Sequence, residues 1–146
     1  IWGVKASFRS YVKSSEGSIT LSDGVTVTDD GEFIFTAAPG GDFAVTADGR
    51  ATGSMRFNGS VTFEAHGGML KSTLSELGVE ASGEGILLTV LDAPMTKSRC
   101  TVAELGPVER GAGEVVTFIA KITVDGMYQI ADNYPPGTVL DPVILG

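Results

Sequence analysis

Apolar and polar residues alternate with a period of two along most of the chain, a pattern that predicts strands. Ile19-Thr20-Leu21 and Val25-Thr26-Val27 alternate on either side of Ser22-Asp23-Gly24, a turn whose glycine tolerates positive φ. Phe33-Ile34-Phe35 follows the turn Asp29-Asp30-Gly31, and Phe43-Ala44-Val45 follows Gly40-Gly41. Met55-Arg56-Phe57 and Val61-Thr62-Phe63 flank Asn58-Gly59, a dipeptide that predicts a hairpin joining them. In the second of these runs Val61, Phe63 and Ala65 share one face, and Thr62, Glu64 and His66 the other. Ile86 to Leu91 is a nearly continuous apolar run, which predicts a strand covered on both faces. Val115 to Val124 predicts a long strand closed by Asp125-Gly126.

Helical periodicity is confined to few places. From Ile1 to Lys13, a projection at about 100° per residue puts Val4, Ser7, Phe8, Tyr11 and Val12 on one face and Lys5, Arg9 and Lys13 on the other. The break from Ser14 to Gly17 ends this helix of about three turns. Thr96 to Leu105 reads as a second short helix, and Asn133 to Gly146, with Pro135-Pro136, Gly137 and Pro142, as an irregular tail. The expected fold is mainly β: an antiparallel β-sandwich or curved-sheet domain with a short N-terminal α-helix and room for one further short helix. No internal repeat, charge block or linker divides residues 1–146, so the expectation is a single domain.

Composition narrows the chemistry. The 146 residues carry ten Lys+Arg against eighteen Asp+Glu, a formal net charge of −8, with 20 Gly and one each of Cys, His and Trp. One cysteine forbids an intrachain disulfide, and one histidine with one cysteine cannot build a Cys/His zinc site. The acidic balance argues against a nucleic-acid partner. No apolar run reaches the roughly 18–20 residues that cross a bilayer. The chain opens on Ile1 with neither initiator Met nor signal peptide, so the expectation is a mature or excised domain of a longer secreted or membrane-anchored protein, extracellular or at the cell surface.

Few residues remain for a site. Ser7 and Tyr11 are four apart on the predicted helix and project together. The plain reading makes Tyr11 an amphipathic core residue with its hydroxyl at the rim. The functional reading makes it a phenolate ligand with Ser7 as a hydrogen-bond partner, because tyrosine binds haem iron and a hard anionic oxygen suits ferric iron. His66 precedes Gly67-Gly68; it reads either as a surface or structural histidine or as a hydrogen-bond donor that favours the ionised phenol. Cys100 reads as a small apolar residue, and Asp29, Asp30, Asp92, Asp125 and Asp141 as turn residues beside Gly or Pro.

Three segments carry a resemblance to a known family. Trp2-Gly3-Val4-Lys5 with Ser7-Phe8-Arg9-Ser10-Tyr11, then Phe63-Glu64-Ala65-His66-Gly67-Gly68, then Tyr134-Pro135-Pro136-Gly137-Thr138 with Leu140-Asp141-Pro142 resemble, in order, the opening, central and closing motifs of the HtaA-type haem-binding domain. This domain is the conserved region of actinobacterial, chiefly corynebacterial, haem-uptake surface proteins. From Leu74 to Gly78 the chain runs Leu-Ser-Glu-Leu-Gly where that family tends to place an Asn- or Asp-Pro turn.

The resemblance implies that Tyr11 is the axial ligand of ferric haem b, that His66 supports it by hydrogen bonding, and that Ser7 contributes one helical turn away. A haem disc also needs apolar walls and groups for its propionates. Phe8, Met69 and a strand phenylalanine are candidate walls; Arg9, Lys5, Ser7 and Ser10 are candidates near the propionates. The implied function is capture and transfer of haem, without catalysis, between haem-donor proteins and a downstream haem-binding protein or transporter. The competing readings are a cofactor-free β-sandwich adhesion or carbohydrate-binding module, and a haem-degrading or peroxidatic enzyme, for which a single histidine offers little.

Overall fold

In the computed structural model, residues 1–46, 50–65, 67, 70–82, 85–92, 98–110, 115–130 and 134–145 are described. The chain opens with an extended segment, Ile1–Lys5, and helix α1 (Ala6–Ser14). Strands β1 (Ser18–Ser22), β7 (Ser60–Ala65) and β8 (Leu70–Ser75) form a three-stranded sheet in the order β1-β7-β8. A six-stranded sheet runs β13 (Val143–Leu145), β12 (Val116–Ile122), β11 (Ser98–Arg110), β10 (Gly85–Asp92), β9 (Gly78–Ser82), β6 (Ser54–Arg56). Two small hairpins, β2 (Thr26–Val27) with β3 (Phe33–Ile34) and β4 (Ala44–Val45) with β5 (Ala51–Thr52), lie between. Every described pairing of these strands is antiparallel. Helix α2 (Val124–Gln129) follows β12. The mainly β, antiparallel architecture with a short N-terminal helix is therefore the one that the alternation predicts.

The strands bury what the pattern says they should. On β7, Val61, Phe63 and Ala65 are buried and Thr62 and Glu64 are not. Phe8 and Val12 of α1 lie against this face, and Phe8 meets Phe63 edge-on at 4.9 Å between ring centroids. Trp2, Phe33, Leu74, Val79, Leu88, Val90 and Phe118 join them in one continuous core, so helix and both larger sheets share it. Trp2 is stitched to Phe33 by reciprocal backbone hydrogen bonds (2.9 and 3.0 Å), and Ile1 is bonded to Ile144 of β13.

Four expectations need correction. Asn58-Gly59 does not close a hairpin: β6 pairs with β9, β7 pairs with β1 and β8, and the dipeptide links the two sheets. Gly59 is required there on other grounds, since its φ is +97° and a Cβ would stand 2.4 Å from Val25 Cγ2 and 2.8 Å from the Ser22 carbonyl oxygen. The predicted helix at Thr96 to Leu105 is strand from Ser98 onward. The register between β10 and β11 slips there, from Leu88↔Ala103 to Thr89↔Thr101, leaving Val102 as an extra residue. Val102 and Ala103 are thus both buried, and the break in alternation imitates a helical pattern.

The second helix lies instead at α2, on the Asp125-Gly126 pair expected to end a strand. Thr123 caps it by accepting a hydrogen bond from Gly126 N–H at 3.0 Å. Thr123 N–H in turn donates to the carbonyl of the extra residue Val102 at 3.0 Å. Finally, the tail is not irregular throughout, because β13 completes the edge of the six-stranded sheet.

Candidate functional site

Helix α1 presents the candidate ligand. Phe8 and Val12 point inward, which leaves Ser7, Ser10 and Tyr11 exposed. Tyr11 is 39% exposed, the only exposed aromatic among the described side chains. Its ring is thus accessible at the surface of a helix that buries Phe8 and Val12. Ser7 lies one turn before it, and its hydroxyl is 2.9 Å from the phenolic oxygen of Tyr134, either of which can donate. Tyr134 also packs edge-on to Phe8, at 6.3 Å between centroids, and lies under the Lys5 ammonium at 5.7 Å. Lys5 Nζ donates to the Val139 carbonyl at 2.8 Å, which fixes this cation beside Ser7 and Tyr134.

Tyr134 belongs to this cluster, although sequence reasoning treated it only as part of a closing motif. Its position directly before Pro135-Pro136 was the available signal. Two rigid residues after an aromatic set its backbone without helix or strand.

The other candidates are placed as follows. Phe8 is 1% exposed, so its ring supports α1 from beneath and offers no free face. Arg9 lies on the side of α1 away from Tyr11, where Nη1 donates to Asp141 Oδ2 and to the Gly3 carbonyl, both at 2.6 Å. Ser10 is exposed one residue before Tyr11. His66 and Met69 lie outside the described residues. Strand β7 ends at Ala65, one residue before His66, and Gly17 just past α1 lies against the Glu64 carbonyl of the same strand.

Among the described residues no group of three or more His, Cys, Asp and Glu could hold a metal ion. Cys100 is half-buried on β11, and its neighbour Arg99 is turned elsewhere: Nε donates to Thr89 Oγ1 at 3.1 Å and Nη2 to the Glu76 carbonyl. Burial, and then Arg56 nearby, lower the Arg99 pKa. An apolar pocket lies apart from α1, between Trp2 and the six-stranded sheet, lined by Phe35, Phe57, Leu77, Val79, Leu88 and Val143 among others. Among the described residues its lining is apolar apart from the Trp2 indole, whose N–H is engaged by the Asp141 carbonyl.

Comparison with known proteins gives the family and the fold. Residues 1–145 match the HtaA family, described as Htaa. No curated protein matches the chain. Among solved structures, the C-terminal domain of HtaA from Corynebacterium glutamicum is similar at 31% identity, over 98% of this chain and 90% of that one, with a TM-score of 0.70. The N-terminal domain of the same protein is similar at 27% identity, over 97% and 90%, with a TM-score of 0.74. The haem-binding protein HtaB from that organism covers 99% of this chain and 88% of its own at 19% identity and a TM-score of 0.68, a likeness of fold.

Proposed function

This chain belongs to the HtaA family, and from that membership we propose that it captures ferric haem through the phenolate of Tyr11 and passes it on in bacterial haem-iron uptake, at the cell surface or outside the cell. The observation that carries the reading is the exposed Tyr11 on a helix that buries Phe8 and Val12. Haem is cargo here. A phenolate is a hard anionic donor matched to ferric iron, and one such bond, with no second protein ligand required, suits reversible loading.

The surrounding groups have separate tasks. Ser7, held by Tyr134, presents its hydroxyl next to the ligand, and Lys5 supplies the adjacent positive charge for a propionate. Ser10 is available to the second propionate. Arg9 was a propionate candidate by sequence; its guanidinium is engaged by Asp141 and Gly3, so Lys5 is the better one. His66 is proposed to hydrogen-bond the Tyr11 oxygen, which favours the ionised phenol, and Met69 to contribute to a wall of the pocket. The guest undergoes no catalytic step in this reading.

The test is a hemin titration followed by absorption spectroscopy. Wild-type protein is expected to give a ferric phenolate spectrum, and Tyr11→Phe to lose that spectrum and most of its affinity. Equal binding and identical spectra would remove Tyr11 as the ligand. His66→Ala is expected to weaken binding less than Tyr11→Phe; an equal or larger loss would make His66 the ligand instead.

A further inference from the structure

Four hydrogen bonds join the first nine residues to Asp141. Trp2 Nε1 donates to its carbonyl at 2.9 Å, and its own N–H donates to the Val4 carbonyl at 2.9 Å. Ala6 N–H donates to Oδ1 at 3.1 Å, and Arg9 Nη1 to Oδ2 at 2.6 Å. The carboxylate therefore caps α1 in place of a local residue: Lys5 at the N-cap position makes no side-chain cap bond, and no acidic residue stands in the first turn. It supplies both the missing acceptor and a negative charge at the positive end of the helix dipole.

The backbone is shaped around this meeting point. A Cβ on Gly3 would stand 2.3 Å from Arg9 Nη1 and 2.5 Å from Asp141 Oδ2, so only glycine leaves the gap in which the ion pair forms. Val4 takes a φ of +63° while its side chain is buried. A β-branched residue in the left-handed region is strained, and such strain persists only where the surroundings over-determine it. Gly there would relieve the strain but leave the buried space of the Val4 side chain empty, so packing holds the turn that launches α1 in this one conformation.

We propose that Asp141 is a positioning residue for the haem ligand: by holding Ala6 and Arg9 it sets the rotation and axial placement of α1, and so the place of the Tyr11 oxygen. The inference rests on the haem-binding reading above. Phe8 and Val12 anchor a single stripe of α1, which leaves rotation about that stripe and sliding along it to be fixed elsewhere. Arg9, on the face away from Tyr11, is gripped from behind, and Ala6 is gripped at the end. A nine-residue helix is too short to hold itself in water, so its placement is set by such ties.

The test compares Asp141→Asn with wild-type protein and with Val90→Ala, a core variant on β10, which lies in the six-stranded sheet and not in the sheet that α1 packs on. Haem release to excess apomyoglobin, the phenolate-to-iron absorption band and the thermal midpoint of the apoprotein are measured for each. Asp141→Asn keeps an acceptor for Ala6 but loses the charge opposite Arg9. It is expected to release haem about ten-fold faster, the weight of one charge-assisted hydrogen bond, with a shifted absorption band, while Val90→Ala lowers the apoprotein midpoint and releases haem at the wild-type rate. Should Asp141→Asn fail to fold, Arg9→Met breaks the same ion pair and carries the same expectation. Release at the wild-type rate and an unshifted band, or equal acceleration by Val90→Ala, overturn the positioning role alone. Wild-type protein that takes up no hemin overturns the haem reading and the positioning role with it.

Discussion

Tyr11, Ser7 and Tyr134 show how a site arises from what each residue is denied. The core has room for Phe8 and Val12 from α1 and none for Tyr11, so the phenol stays at the surface. Ser7, too short to reach the core, meets Tyr134 from the far end of the chain. Gly3 is fixed by the opposite constraint, since a methyl group there would collide with both partners of an ion pair. Gly3→Ala is therefore expected to destabilise the domain by about 1–3 kcal/mol, the range for overpacking, as read by urea denaturation. A loss within a few tenths of a kcal/mol would mean that Arg9 and Asp141 part at little cost. Tyr11 and Ser7 were legible in the sequence because helical spacing alone puts them on one surface. The Ser7–Tyr134 contact and the Asp141 clasp were not, because each joins residues more than 120 positions apart and leaves no local period to read.

At the level of elements, local chemistry succeeded where each element satisfies itself and failed where a neighbour decides. The turn at Asp29-Asp30-Gly31 closes β2 and β3 as its residues demand, with Gly31 at φ +86° and its N–H on the Thr28 carbonyl. Asn58-Gly59 has the same kind of chemistry, yet its flanking strands leave for different sheets, and only tertiary pairing distinguishes the cases. Helix α2 has a glycine inside it and few helix formers, so propensity argues against it. Its place is set by the bulge at Val102, whose carbonyl lies 2.1 Å from where a Cβ on Gly126 would stand. Gly126→Ala gains intrinsic helix propensity and is nevertheless expected to lower stability by about 1–3 kcal/mol, visible as a lower thermal midpoint. A stabilising effect would show that α2 can lift from β11 freely.

Across the whole molecule the charge of −8 acts on the approach of the guest. On the proposed reading, haem with its two propionates meets a repulsive field, so its capture would rest on ligation and apolar contact once it arrives. Hemin association measured by stopped flow is expected to accelerate as salt is raised from low to physiological strength, since the repulsion is screened beyond about 8 Å at 0.15 M. A rate that falls with salt would mean that Lys5 beside the site dominates the distant acidic surface.

The clasp between the first helix and the closing segment also sets an order in time. A chain leaves the ribosome from its N-terminus, so Ala6 and Arg9 are made more than 130 residues before Asp141. Within this domain helix α1 precedes its clasp in synthesis. On the proposed reading, a domain truncated before residue 141 carries Tyr11 without the tie proposed to place it. The domain would then become competent for its guest in a single late step, when its end reaches its beginning.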